Sequence, residues 1–296
     1  AGGTLGIIIP PSIPLILYGV MTQKSIADLF LAGTGPAILL LIVLSTYAMA
    51  INWSMRGDMW DGREIWTSFK GAVFALLTPV VILGGIYSGY FTPTESASVA
   101  VLTALVVEVF AHKHGLVNLL TGRFRELWIT CKEAGALVWR VVGETSTLMG
   151  SLFPILAIAL SLNVFMTYEQ VPGRIVEAMT TFIDSKLLFL FMTNILLLAV
   201  GLFLDIGSAI LILSPLLPPM AADYDMDMIH FGIMMIVNLE IGYLTPPMGL
   251  NVIIAMGAFR EDFLTIVKGV IPFILLMILC LLVVMFVPWL SLFLIT

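Results

Sequence analysis

Two pairs of adjacent prolines, Pro10–Pro11 and Pro246–Pro247, interrupt strongly apolar stretches of the sequence. Proline has no backbone N–H and its ring clashes with the preceding helical turn, so carbonyl groups just before each pair lose their helical partners. Hard cations take oxygen ligands of this kind. We therefore expect two cation sites, around Gly6–Ser12 and around Gly242–Met248. The alternative is a proline kink that the neighbouring helices accommodate.

A third set of polar residues lies in the apolar stretch GLFLDIGSA, which covers residues 201–209. A carboxylate at the depth of the bilayer costs about 2.5–3.5 kcal/mol on insertion scales, so Asp205 needs a partner. We interpret Asp205 and Ser208 as the tip of a helical hairpin that completes the second cation site. A plain helix cap formed by Asp205 over Gly207 and Ser208 is the alternative interpretation.

Two further side chains, Glu240 and Thr245, stand close to the second proline pair. Thr245 directly precedes Pro246, a position that disfavours helical geometry, so its hydroxyl group is available to a cation. Glu240 lies five residues before Thr245, and we expect it either to bind the cation or to orient the unwound backbone. Thr245 is the predicted principal side-chain ligand.

The elements that must position these residues are apolar helices. Hydrophobic residues make up 60% of the sequence and charged residues 11%, and the mean hydropathy is +1.10. Apolar runs of about 20 residues, the length of a helix that crosses a bilayer, recur along the chain. The sequence therefore predicts an all-α polytopic membrane protein. The predicted membrane segments are 5–20, 34–53, 71–91, 93–111, 145–166, 187–222, 229–258 and 270–295.

Basic residues divide the connecting segments between two faces of the membrane. Ten of the 13 Lys and Arg residues lie in three segments, 54–70, 112–140 and 260–268. Because cytoplasmic loops carry an excess of Lys and Arg, we predict that this face is cytoplasmic and that the C-terminus is periplasmic. The assignment requires that residues 187–222 enter and leave on the outer face. The sequence therefore predicts a re-entrant hairpin there.

An internal repeat relates the two proline pairs. When the start of the chain is shifted by 236 positions, it aligns with the end without a gap. Residues of the same type then coincide: Gly6 with Gly242, Pro10 with Pro246, Pro11 with Pro247, Gly33 with Gly269, and Pro36 with Pro272. The charge distribution gives the two copies opposite orientations, as in an inverted-topology repeat with a broken helix in each half. The counterpart of the hairpin would precede residue 1, so we expect the chain to be the C-terminal portion of a longer polypeptide.

Four motifs resemble a known family. The segments GTLGIIIPPSIPLILYG, GIYSGYFTPTESASVA, GLFLDIGSAILILSPLLPP and HFGIMMIVNLEIGYLTPPMGLN are similar to the large membrane subunit of TRAP transporters (tripartite ATP-independent periplasmic), the DctM-like family. The resemblance covers essentially the whole chain. It implies a sodium-coupled secondary transporter of the bacterial inner membrane that imports an organic acid of the C4-dicarboxylate or sialic acid type. A periplasmic substrate-binding protein would deliver the acid, and a small membrane subunit, separate or fused, would brace the large one.

The resemblance also implies an elevator-type arrangement, in which hairpins and broken helices move past a scaffold. Residues 1–33 would form the first broken helix and an interfacial arm at 22–33, and residues 34–170 would be mainly scaffold. Residues 171–296 would form the second repeat, with the hairpin at 187–222, a broken helix at 229–258, an interfacial arm at 260–268 and a final helix at 270–295. A segment at 123–135 is also expected at the membrane surface, with Trp128 at headgroup level.

The coupling ions implied by the resemblance are sodium ions, and no other cofactor is expected. The residues predicted to bind sodium are Gly6, Ile9, Pro10, Asp205, Ser208, Gly242, Thr245, Pro246 and Met248. No Lys or Arg lies in the middle of a predicted span, so the positive ends of half-helices must hold a carboxylate substrate. The side chains expected within reach of the substrate are Ser12, Ser208 and Asn251.

Other functional classes have less support from the residues. The sequence has no nucleophile elbow, no phosphate-binding loop and no Cys/His spacing typical of a metal centre, so we do not expect an enzyme. We expect membrane lipid as a partner, and no nucleic acid. Two alternatives stay open: a stand-alone sodium/dicarboxylate symporter, and an ion channel that uses the broken helices as a filter.

Overall fold

The computed structural model describes residues 2–54, 61–108, 124–169, 174, 185–246 and 249–295, and the regular elements within them are helical. A short 3₁₀ helix, Gly2–Thr4, precedes the first α-helix. The α-helices are α1 (Leu5–Ile8), α2 (Ile13–Thr22), α3 (Ile26–Ile51), α4 (Gly62–Tyr87), α5 (Pro93–Val107), α6 (Phe124–Tyr168), α7 (Lys186–Phe203), α8 (Ile206–Leu213), α9 (Leu217–Asp223), α10 (Met228–Leu244), α11 (Leu250–Phe259), α12 (Phe263–Phe286) and α13 (Trp289–Leu292).

Several of these elements have the length and composition of membrane spans. Among the described residues, five runs are long and apolar enough to cross a bilayer: Gly2–Thr22, Ile26–Ile51, Gly62–Tyr87, Lys186–Phe203 and Phe263–Phe286. A sixth candidate consists of α8 and α9, which meet at an angle of 53°. These helices confirm the predicted all-helical architecture of a polytopic membrane protein.

The first compact unit comprises Ala1–Ser54 and Ile155–Thr296, and α10 lies at its centre. Fourteen of the 17 residues of α10 are buried, because α1, α2, α3, α7, α8, α9, α11, α12 and α13 pack against it. A helix that is apolar on nearly all sides requires such surroundings. Asp227 begins α10 by accepting hydrogen bonds from the backbone N–H groups of Ile229 and His230.

The segment from α7 to α9 forms a helical hairpin. The chain leaves helical geometry at Leu204 and Asp205, which are both extended, and α8 then packs against α7. At the far end of the hairpin, Lys186 Nζ donates a hydrogen bond of 3.0 Å to the carbonyl oxygen of Asp225. The rings of Phe189 and Tyr224 stack there with centroids 4.6 Å apart. The two ends of the segment therefore lie side by side.

The second compact unit, Met55–Pro154, contains α4 and α5, which pack against each other, and most of α6. Thr92 and Glu95 form a capping box at the start of α5, and Pro93 occupies the first helical position. The hydroxyl group of Ser96, which is fully buried, donates to the carbonyl oxygen of Ile82 at 2.8 Å. These bonds fix the tight turn between α4 and α5.

Most of each predicted interfacial arm, 22–33 and 260–268, belongs to the first turns of a long helix, α3 or α12. The cause is local: Ser25 accepts from the N–H of Asp28, and Asp262 accepts from the N–H of Thr265. These caps start the helices early. Pro36 and Pro272 lie inside α3 and α12 without ending them.

Two other predicted boundaries differ from the structure. The surface segment at 123–135 and the span at 145–166 belong to one helix, α6, which extends over 45 residues. The predicted final helix at 270–295 ends at Phe286, where Val287 leaves helical geometry before Pro288 and the short α13.

Candidate ion and substrate site

The first proline pair separates α1 from α2. The helix α1 ends at Ile8, Ile9 is extended, and the peptide bond between Pro10 and Pro11 is cis. Ser12, which is buried, begins α2: its hydroxyl oxygen accepts from the N–H of Leu15 and donates to the carbonyl oxygen of Ile7. Because Pro11 has no N–H, the Ile7 carbonyl has no helical donor. The hydroxyl group of Ser12 takes the place of that donor.

The second break follows α10. Thr245 is extended as predicted, and its hydroxyl group donates to the carbonyl oxygen of Ile241 at 2.7 Å. Gly249 begins α11 and packs closely against the end of α10: a Cβ at Gly249 would lie 2.8 Å from the Tyr243 carbonyl oxygen. Pro246 is half-buried. Pro247 and Met248, which were predicted to belong to this site, lie outside the described residues.

The two breaks differ in the chemistry of their caps. The helix α2 begins after Ser12, and the helix α11 begins after Gly249. Since the second cap is a glycine, no side-chain hydroxyl at the cap reaches the Tyr243 carbonyl. That carbonyl has no helical N–H donor either, because Pro247 stands four residues after it.

The tip of the hairpin contacts both broken helices. Asp205 is exposed and caps α8, since its Oδ2 accepts from the N–H of Ser208 at 2.9 Å. Gly207, two residues after Asp205, lies against α2, since a Cβ atom added to Gly207 would be 3.6 Å from Leu17 Cδ1. The helix α8, which Asp205 caps, also packs against α10. The structure thus contains the cap that we gave as the alternative role of Asp205.

A cavity of about 320 Å³ lies between residues of both broken helices. It is lined mainly by apolar side chains, with polar groups from Thr4 and Asn251. Asn251 was predicted to contact the substrate. The other two predicted contacts, Ser12 and Ser208, do not line this cavity. Gly6 lies on an exposed part of α1, one residue before Ile7, which does line it.

Glu240 is fully buried in α10 and faces Thr4. Neither carboxyl oxygen accepts a hydrogen bond of ordinary geometry within the described residues. Thr4 and Glu240 are themselves 236 positions apart, so they hold the same place relative to the two proline pairs. Residues at equivalent positions of the repeat therefore meet in the core.

One buried pair of amide side chains, Asn194 and Asn238, was not predicted from the sequence. The Asn238 side chain donates to both the backbone and the side-chain oxygen of Asn194, and Asn194 donates to the carbonyl oxygen of Leu190 at 2.7 Å. Both residues are buried where α7 packs on α10. The signal was available: each is a lone amide in an apolar run, and such a side chain needs a partner in the core.

Apolar helices around a buried central helix, with two proline breaks and a hairpin, define a polytopic membrane protein. Residues 1–290 match the family model of the DctM component of tripartite ATP-independent periplasmic transporters, and the chain belongs to that family. The predicted family membership is confirmed.

Curated relatives agree with this assignment. The chain is 36% identical to the isethionate TRAP transporter permease protein DctMQ of Oleidesulfovibrio alaskensis, over 99% of this chain and 44% of that protein. It is 36% identical to the C4-dicarboxylate TRAP transporter large permease protein DctM of Vibrio cholerae, over 98% and 65%. It is also 36% identical to the sialic acid TRAP transporter large permease protein SiaM of Vibrio cholerae, over 90% and 59%. The chain thus spans about half to two-thirds of the length of these relatives.

Proposed function

We propose that the chain forms the transport core of a large permease that imports an organic acid together with sodium. The observation that carries this proposal is the convergence of two broken helices and a hairpin tip in one compact unit, in which residues of both broken helices also line a cavity. Broken helices at membrane depth are tolerated where they line a cavity or bind a ligand.

Sodium binding is proposed mainly at the second break. The Thr245 hydroxyl and the Tyr243 carbonyl oxygen lie at the end of α10, and α8, which the Asp205 carboxylate caps, packs against α10. Oxygen atoms of these three kinds suit a hard cation. A related site around Gly6–Ser12 is proposed for the first break, where Ser12 already donates to one freed carbonyl.

The substrate is proposed to be an organic anion. The names of the relatives cite isethionate, C4-dicarboxylates and sialic acid, all of which are organic acids. The helices α2 and α11 begin at the first and second breaks, and α8 begins at the hairpin tip. The start of a helix favours negative charge. Asn251 stands in the first turn of α11 and lines the cavity. We place the acid group there.

The proposed partners are a small membrane subunit and a periplasmic binding protein, in the bacterial inner membrane. The family name describes a tripartite system, and the name DctMQ describes a permease protein that joins two components. The orientation with a periplasmic C-terminus is part of the proposal and follows from the distribution of Lys and Arg.

An inverted repeat and an elevator-type cycle complete the proposal. The two segments contain the same elements in the same order. One helix ends at the proline pair, and a ten-residue helix follows and ends at a residue with positive φ. A long helix then begins at a capping residue. The residues with positive φ are Gln23 and Arg260. The meeting of the equivalent residues Thr4 and Glu240 supports an approximate two-fold axis between the two copies.

Uptake into proteoliposomes tests the function. The complete permease, with its small subunit, should accumulate a labelled C4-dicarboxylate or sialic acid only with an inward sodium gradient and a matching binding protein. Uptake without any binding protein would indicate the stand-alone symporter instead. Ionic currents far above carrier turnover would indicate a channel. A potassium gradient of equal size serves as the control for sodium.

A further inference from the structure

A second internal duplication, unrelated to the proline repeat, begins the helices α4 and α6. The sequence GREIWTSFK at 62–70 and the sequence FRELWITCK at 124–132 share the pattern R-E-(I/L)-W-x-(S/T)-x-K. The residues coincide at an offset of 62: Arg63 with Arg125, Glu64 with Glu126, Trp66 with Trp128, and Lys70 with Lys132.

The two segments also share a three-dimensional arrangement. Lys70 Nζ lies 5.3 Å from the centre of the Trp66 ring, and Lys132 Nζ lies 5.7 Å from the centre of the Trp128 ring. Ammonium groups at this distance are attracted by the face of the indole ring. Each lysine is thereby held over its own tryptophan, one helical turn away.

The cations and the indole share one side of each helix. Arg63, Trp66 and Lys70 are separated by three and four residues, the spacing that brings side chains together on a helix surface. The same spacing applies to Arg125, Trp128 and Lys132. In both segments the described side chains of this face are exposed, with 58% of Trp66 and 67% of Trp128 accessible. We call each set an Arg–Trp–Lys face.

We propose that both Arg–Trp–Lys faces bind the phosphate headgroup of an anionic phospholipid in the cytoplasmic leaflet. The two cations on each face complement one phosphate group, and tryptophan and lysine are the residues that concentrate at the boundary between headgroups and hydrocarbon. Exposed apolar side chains of α4 that suit acyl chains stand directly before and after Lys70: Phe69, Val73 and Phe74. Both faces belong to the segments that carry most of the Lys and Arg residues.

A membrane lipid fits these faces better than a protein subunit does. A protein interface would cover the tryptophans with a shaped surface, and its core would be depleted of lysine. A headgroup layer instead accepts the same short pattern wherever a helix enters it. Two copies of one pattern, each near the start of a long helix, therefore indicate binding to a headgroup layer.

The test measures phosphatidylglycerol retained by the purified complete permease, by native mass spectrometry after titration with this lipid. The double variants Arg63→Ala/Lys70→Ala and Arg125→Ala/Lys132→Ala should each raise the phosphatidylglycerol concentration that fills the altered face by about tenfold or more, because each basic residue near an anionic surface contributes roughly a factor of five. The matched control, Arg260→Ala/Lys268→Ala, removes two charges from the same predicted side without a tryptophan. It measures the general attraction of basic residues to an anionic surface, and each test variant should lose clearly more lipid than this control does.

Tryptophan fluorescence gives the second readout. In nanodiscs that contain phosphatidylglycerol, permeases that keep only Trp66 or only Trp128 should be quenched more strongly by headgroup-labelled than by tail-labelled lipid. Equal loss of lipid in the control variant would overturn the proposal. Unchanged lipid retention in both test variants would also overturn it. If the test variants lost the small subunit but kept the lipid, the faces would be assigned to a protein contact instead.

Discussion

Gly201 of α7 and Gly242 of α10 lie backbone against backbone. A Cβ at Gly201 would be 2.9 Å from the carbonyl oxygen of Leu239, and a Cβ at Gly242 would be 2.8 Å from the backbone of Gly201. This close approach lets the hairpin pack directly against the helix that carries the second break.

The first prediction concerns this crossing. Gly201→Ala should lower the stability of the permease by about 1–3 kcal/mol, because the added methyl group must push backbone aside. Thermal unfolding of the purified protein measures the change. Gly257→Ala on α11 is the control, since a Cβ there meets no atom within 4 Å and alanine favours the helix. Equal destabilisation by both variants would contradict the prediction.

The hairpin ends give the second prediction. Cysteines introduced at Lys186 and Asp223, with Cys131 and Cys280 replaced by serine, should both react with a membrane-impermeant maleimide applied from the periplasm. The ends lie side by side, as the bond from Lys186 to Asp225 requires. A cysteine at Arg63 should react only after the membrane is permeabilised. Labelling of 186 and 223 from opposite faces would refute the re-entrant topology.

The third prediction concerns Asp205. Two substitutions separate its role as the cap of α8 from its proposed role as a sodium ligand. Asparagine caps helices as well as aspartate does, so Asp205→Asn keeps the cap on α8 and removes only the charge. If the carboxylate binds sodium, this variant should raise the sodium concentration for half-maximal uptake by about tenfold. Asp205→Ala should do the same and also lower stability. An unchanged sodium dependence in Asp205→Asn would leave the residue as a cap alone.

The fourth prediction concerns Thr245. Thr245→Val keeps the shape of the side chain and removes the hydroxyl group. The sodium concentration for half-maximal uptake should therefore rise by about tenfold. Thr245→Ser restores the hydroxyl and should behave as the original residue does. The affinity of the separate binding protein for its acid, measured by calorimetry, should stay constant in every case. A valine variant with normal sodium dependence would remove Thr245 from the site.

The fifth prediction is a pH dependence at the start of α12. Hydrogen bonds from the Thr265 side chain and backbone hold the pKa of the Asp262 carboxyl group below its ordinary value of 3.8. A lowered pKa in the folded state means that the cap stabilises the protein above the ordinary value and that this stabilisation disappears as the pH falls through the folded-state pKa. Asp262→Ala should therefore reduce thermal stability at pH 7, and the difference from the original protein should shrink below about pH 4. A difference that is constant with pH would contradict this.

The broken helices and the segment of the hairpin could be predicted from the sequence, because proline acts locally. Two adjacent prolines remove two helical donors in a row and end the helix before them, whereas single prolines such as Pro36 and Pro272 lie inside long helices. The capping box at Thr92 and Glu95 was equally predictable, since its bonds span three residues.

The starts of α3 and α12, which lie inside the predicted arms at 22–33 and 260–268, were not predicted. The caps at Ser25 and Asp262 start helices that continue through Pro36 and Pro272. The contact between Thr4 and Glu240 also lay beyond the sequence, because it depends on how α1 packs against α10. Packing of this kind is a property of the whole unit, and no local pattern encodes it.

The different caps of the two breaks have a consequence for the carbonyl groups that the prolines leave without a helical donor. At the first break the Ser12 hydroxyl group donates to the Ile7 carbonyl oxygen, whereas Gly249 at the second break has no side chain that could donate to the Tyr243 carbonyl oxygen. A cation that bound at both breaks would therefore compete with the capping residue for its carbonyl ligand at the first break and not at the second.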